Sequence, residues 1–279
     1  MVFRQLLLIS PVQNVQIKLE QSLSGISAFS KYFLLTFSLH THAFYFSETA
    51  VQSISDKTWE QMKASFPISN DLMKRLQIEC IASEIIQQLD EPFSTYEWEI
   101  ELFENPAANA FALANGKIGI YTGLYSVARN QDELATIIGH EVAHVTSKHS
   151  HKKINRKILS GFTAAISEAA ISGIIANHQA QSMGMMTEVL ATYGFDLPFE
   201  RTQETEADIE GLRLMAAAGF NPLASLDVWK KMQEKGNSRN LEFLASHPLG
   251  RNRRKVLARQ LSTPIELYAQ TKRKPRCSF

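Results

Sequence analysis

Excess charge of either sign, cysteine and long apolar runs are all scarce in this 279-residue chain. Lys and Arg number 29 against 28 Asp and Glu, a formal charge of +1. No basic field therefore exists to hold nucleic acid by counterion release, and no nucleic-acid partner is expected. The two cysteines, Cys80 and Cys277, are too few for a disulfide framework and lack the CxxC spacing of redox or zinc-ribbon sites. They allow one bridge at most, and a cysteine as close to the end as Cys277 is expected to stay free rather than pair. No apolar run reaches the roughly 20 residues of a bilayer-spanning helix, so no transmembrane span is expected, although peripheral association with a membrane stays compatible. No 20–50-residue period marks a repeat array.

What the chain does have is 44% hydrophobic residues, ample for a packed core, and an uneven distribution of eight histidines. Four of these (His140, His144, His149, His151) fall within twelve residues. Residues 1–50 read as a leader and 51–279 as a single domain. In the leader, Lys31 precedes the apolar run Tyr32–Leu39, of signal-peptide length, which predicts an exported, periplasmic protein; an ordinary buried N-terminus is the other reading. Residues 71–89 predict an amphipathic helix with Leu72, Leu76, Ile81, Ile85 and Leu89 on its packed side. Tyr96–Leu102 alternates as a half-exposed strand, and Asn109–Leu113 leads through the turn dipeptide Asn115-Gly116 into a partner strand at Lys117–Tyr121. A small antiparallel sheet is expected from these. Asn130, with Glu133 three residues on, opens a helix running to about Lys148. A second helix runs from about Glu204 to Ala218 and stops at Gly219, and Asn221-Pro222 starts a third.

The chemistry concentrates on His140-Glu141-Val142-Ala143-His144, an HExxH pattern on a helix. Histidines four apart share one helix face, so both imidazoles can reach one metal ion, while Glu141 points to an adjacent side where it can act on a water. Apolar residues on both sides of the pair (Leu134, Ile137, Ile138, Val142, Val145) predict a broadly buried helix, in which unpaired polar groups are costly. The metzincin continuation needs Gly at 147 and His at 150; the residues are Ser147 and Ser150, which excludes that class. Glu204 and Asp208, four apart on the second helix, put two carboxylates on one face: one can ligate zinc while the other accepts a ligand histidine's N–H. His247 and Arg253 are candidates for stabilising an oxyanion. His149 and His151 are expected to be helix-end residues that turn away from the ligand face or lie along the next turns, with His178 a further bystander.

Several blocks together, in order, resemble the zinc metallopeptidase family of HtpX, the CAAX prenyl protease, BepA and LoiP (peptidase family M-48). These are Asn109-Ala110-Phe111-Ala112, Gly123-Leu124, Ile138–His144, Glu204–Asp208, Ala218–Pro222, and Ser246-His247-Pro248 with Arg253. The resemblance implies an α+β, helix-dominated, zincin-like (gluzincin) metallopeptidase domain of the soluble exported type. It implies one zinc ion per chain held by His140, His144 and Glu204, with Glu141 as general base and Asp208 behind the ligands. It also implies that Asn109, Ala110, Phe111 and Ala112 form an edge strand on which an extended substrate docks. The expected activity is hydrolysis of internal peptide bonds in unfolded or misfolded proteins, in envelope quality control. The Met/Gly/Ala-rich stretch 160–192 would cover the cleft. The rivals are a zinc-bound chaperone or assembly factor with little turnover, in which His247 would close the fourth zinc position, and a purely structural zinc site, which would have no use for Glu141.

Overall fold

In the computed structural model, residues 48–153, 199–235, 242–247 and 253–277 are described. All but the last three residues of the expected leader, His178 and the stretch 160–192 lie outside them. The described residues belong to one compact unit, Phe46–Phe279. Its elements are α1 (Glu48–Ser65), α2 (Leu72–Ile86), β1 (Glu99–Phe103), β2 (Ala110–Ala112), β3 (Lys117–Tyr121), α3 (Gln131–Thr146), α4 (Arg201–Ala217), α5 (Ala224–Lys235), α6 (Phe243–Ser246), α7 (Arg253–Gln260) and α8 (Ser262–Gln270). Among the described residues no helix is long and apolar enough to cross a membrane.

The helix-dominated α+β architecture matches the expectation, but the sheet is mixed, with strand order β1-β3-β2. β2 and β3 form the hairpin signalled by Asn115-Gly116, with Gly116 at φ 85°. β1 instead runs parallel to β3, pairing Glu99 with Lys117 through Phe103 with Tyr121. Between β1 and β2 the chain crosses to the far edge of β3, pinned where Gly123 N–H donates to Asn105 O. That leaves β1 on the other side of β3 from β2. Strand alternation then separates two apolar faces. Leu102, Ala110, Ala112, Ile118 and Ile120 join the main core with α2 and α3. Phe103 and Tyr121 join Trp59 of α1, with Phe111 packed against them.

α2 starts at Asp71, whose side chain accepts from Lys74 N–H. Its buried stripe is Ile78, Ile81, Ala82 and Ile85. Leu72 and Leu76, expected on the packed side, are 62% and 38% exposed, because only the C-terminal half of α2 carries its buried face. Each fully buried Ile there contributes about 1.5–3 kcal/mol. Contrary to the expectation of a free Cys277, Cys80 on this helix forms a disulfide with it, because the segment after the last helix returns to α2.

α3 is the central helix, with every residue from Glu133 to Val145 buried. Asn130 caps it by accepting from Glu133 N–H, while the Glu133 carboxylate reaches one residue further back, to Arg129 N–H, rather than to Asn130. α4 opens three residues before Glu204 with a Glu200/Gln203 capping box. It closes with Gly219 at φ 89°, where Phe220 N–H bonds to Met215 O and Gly219 N–H to Ala216 O. This left-handed closure is what glycine permits at low cost.

Candidate metal centre and active site

The HExxH spacing works as helix geometry dictates: the Nε2 atoms of His140 and His144 stand 3.0 Å apart on one face of α3. α4 crosses that face and brings Glu204 to them, with Oε2 at 3.6 Å from His140 Nε2 and Oε1 at 3.4 Å from His144 Nε2. The crossing is close because glycines meet there. A Cβ on Gly211 would lie 2.9 Å from His140 N and 3.0 Å from Gly139 C. From the run after α6, His247 places Nδ1 at 3.0 Å from Glu204 Oε1 and 3.2 Å from His140 Nε2. Its Nε2 lies 3.4 Å from Glu141 Oε1. All five side chains are buried.

These donors fit a metal ion. One ligand atom each from His140, His144, Glu204 and His247 can be chosen within 4.8 Å of one another. Tetrahedral zinc with bonds of about 2.0–2.1 Å sets its ligand atoms roughly 3.4 Å apart, close to the spacings seen here. Glu141 Oε1 is buried without a directed hydrogen bond. Such acceptors in a dry interior are costly unless a cation or a water meets them.

The electrostatics point the same way. Burial pushes the His144 pKa well below that of an ordinary imidazole, leaving a neutral ring with a free lone pair. For Glu204, burial alone would raise the pKa, but the imidazoles of His144, His247 and His140 around it hold the carboxyl far below the usual range. Asp208 is also desolvated, yet the Arg253 guanidinium and His140 keep it ionised. Its Oδ1 sits 3.0 Å from His140 Nδ1. It accepts that N–H, turning the Nε2 lone pair toward the other donors.

Arg253, expected beside an oxyanion, is committed elsewhere. Its Nε and Nη2 donate to Asp208 at 2.6 and 2.7 Å, Nη1 lies 2.9 Å from Glu204 Oε2, and the guanidinium sits 3.8 Å over the Trp229 ring. It braces two carboxylates from behind. His149, expected to turn away, is instead fully buried against His144, with the two Nδ1 atoms 3.0 Å apart. His151 is buried too. Three aromatic residues that no motif singles out wall the centre. Phe199 stacks on His144 at 4.0 Å, Phe243 stacks on His247 at 4.2 Å, and Trp229 meets His140 edge-on at 5.7 Å. Only Phe243 carries a usable sequence signal, lying four residues before His247.

The Asn109–Ala112 segment runs along β2. Tyr121 N–H bonds to Asn109 O and Leu113 N–H to Lys117 O. By antiparallel alternation, the main-chain groups of Ala110 and Ala112 therefore point away from β3. Phe243 N–H bonds to Ala108 O, tying this strand to the segment that carries His247.

The sequence pattern of Peptidase family M48 matches residues 73–260. The chain belongs to peptidase family M48. M48 metallopeptidases use zinc, in keeping with the donor set of His140, His144, Glu204 and His247. The chain is similar to the mitochondrial metalloendopeptidase OMA1 of Schizosaccharomyces pombe, 34% identical over 162 residues, covering 57% of this chain and 45% of that protein. It is similar to the human mitochondrial metalloendopeptidase OMA1, 30% identical over 179 residues, covering 62% and 34% respectively. It is also similar to the beta-barrel assembly-enhancing protease of Escherichia coli, 26% identical over 196 residues, covering 69% and 40%. Each of these matches thus spans less than half of the relative's length.

Proposed function

We propose that this chain is a zinc-dependent endopeptidase that hydrolyses internal peptide bonds of unfolded or misassembled proteins. The observation that carries the reading is the convergence of the His140, His144 and Glu204 donors beside Glu141, whose buried Oε1 lacks a hydrogen-bond partner. Zinc bound there would polarise the scissile carbonyl and make water a nucleophile near neutral pH. Glu141 takes the proton from the attacking water and returns it to the leaving amine nitrogen. Asp208 holds His140 in the tautomer that presents Nε2, and Arg253 keeps Asp208 and Glu204 in register. Of the outward main-chain groups, Ala110 N–H is bonded to Asn109 Oδ1 and Ala112 O to Ser150 Oγ, and Ala110 O with Ala112 N–H would dock an extended peptide as an added strand.

The Cys80–Cys277 disulfide supports work outside a reducing cytosol, in an envelope or other exported compartment. One relative's name speaks of beta-barrel assembly and others are named mitochondrial; the disulfide is compatible with either setting.

A second reading, a zinc-holding chaperone with little turnover, is favoured by one observation: His247 Nδ1 stands among the donors, where it would fill the fourth position. The test is cleavage of an unfolded protein by preparations of equal zinc content. Glu141→Gln should lose about 10²–10⁴-fold in rate, and undiminished cleavage would end the endopeptidase reading. His247→Ala should raise turnover if the imidazole blocks the site and lower it if the imidazole supports an oxyanion. Zinc-loaded wild type and His247→Ala that both fail to cleave, yet suppress client aggregation, would favour the chaperone.

A further inference from the structure

We propose that His149 and Glu206 are positioning residues for the metal centre, together forming a relay that orients His144 and fixes its proton. The proposal rests on the reading above that His144 is a metal ligand. In a continuous helix, residue 149 would sit five positions past His144, rotated about 140° from it and facing elsewhere. α3 does not continue. It ends at Thr146, the chain turns at Ser147 and Lys148, and Lys148 adopts φ 54°, a left-handed conformation that a non-glycine residue rarely takes. The Lys148 side chain reaches Glu48 of α1, with Nζ 2.7 Å from Oε2. When the helical conformation resumes at residue 149, that imidazole lies back against the ligand, its ring centroid 5.0 Å from His144 at an interplanar angle of 70°.

The proton positions then follow in sequence. His144 turns Nε2 to the other donors, so its hydrogen is on Nδ1 and is donated to His149 Nδ1, 3.0 Å away. A neutral imidazole has one donor and one acceptor nitrogen. With Nδ1 accepting, His149 carries its hydrogen on Nε2 and donates it to Glu206 Oε2 at 3.1 Å. Three residues, two hydrogen bonds and a single consistent tautomer for each ring connect the buried ligand to a carboxylate that is 56% exposed. Phe199 stacks on one face of the His144 ring, 4.0 Å between centroids. The two ligand histidines are thereby braced differently: His140 by the buried, Arg253-bound Asp208, and His144 by a second imidazole and a solvent-facing Glu206.

The experiment is the zinc dissociation constant by chelator competition, with circular dichroism to confirm folding and the cobalt-substituted absorption spectrum as a second readout. His149→Leu should weaken zinc by about 10–100-fold and shift the cobalt bands. His149→Asn places an oxygen where Nδ1 stands and should restore most of the affinity. His149→Gln reaches the Nε2 position instead and should not. Glu206→Ala, a change at an exposed side chain, should weaken zinc by several-fold and remains informative if His149→Leu does not fold. Equal affinities across folded His149→Leu, Asn and Gln proteins, or an unchanged Glu206→Ala, would overturn the relay while leaving the metal centre intact. A wild-type protein that takes up no zinc would overturn the centre and the relay together.

Discussion

Asp208 is buried between two donors, Arg253 on one side and His140 on the other. Its pKa is depressed in the fold despite desolvation, so the folded state binds a proton less readily than the unfolded chain. Its stabilising contribution is complete above the ordinary carboxylate range, about pH 4–5, and is lost as the pH falls through the folded value. Glu204 behaves alike. His144 acts higher up the scale: the fold disfavours its protonated form, so metal-free stability should begin to fall once the pH drops below about 6.5 and stay flat above it. Denaturant melts of the metal-free protein from pH 3 to 8 should show both declines. Asp208→Asn should shrink the lower one, with Glu204 supplying the remainder, while costing about 1–3 kcal/mol at neutral pH, because Arg253 loses one of its two buried carboxylate partners. A melt series in which Asp208→Asn matches wild type at every pH would contradict this account. At this scale the sequence displays His140, Glu141, His144, Glu204 and Asp208, because spacings of one and four residues are read directly on a helix. It hides His149 and Phe199, whose positions depend on where helices stop.

α3 and α4 work as a pair because their backbones nearly touch at Gly139 and Gly211. A methyl group at position 211 would stand 2.9 Å from His140 N, so Gly211→Ala must push the helices apart by a few tenths of an ångström. The expected result is a loss of about 1–3 kcal/mol in stability together with weaker zinc binding, since Glu204 and Asp208 move away from His140. Unchanged zinc affinity in that variant would show that the crossing does not set the ligand distances. Local signals foretold most elements: the Asn130 cap, the Gly219 stop and the hairpin at Asn115-Gly116 all occur where they were read. The pairing of β1 with β3 was not legible. A strand's alternation states which faces it has but not which neighbour it takes or in which direction. Leu72 and Leu76 show the same limit, since helical spacing says that residues share a side and not that the side is covered.

Across the whole molecule, the segment after α8 straps distant parts together. Cys277 is bonded to Cys80 of α2, Cys277 N–H donates to Gln131 Oε1, and Gln131 Nε2 donates to Pro275 O at the start of α3. Arg273 O lies where a Cβ on Gly219 would have to be, closing over the end of α4. Reduction, or Cys277→Ser, should lower unfolding stability by about 2–5 kcal/mol, with zinc stoichiometry at moderate temperature unchanged. Thermal melts with and without reductant check this, and identical melts would show that the strap holds without its bond. By itself the sequence determined what repeats over one or two helical turns: the His pair, the carboxylate pair, the caps and the turn residues. Only the tertiary structure decided that His247 and Arg253, more than a hundred residues from His140, meet it in one buried centre, that Arg253 braces carboxylates, and that the cysteines pair. Those contacts are selected by how the entire core packs, and no local backbone geometry encodes that choice.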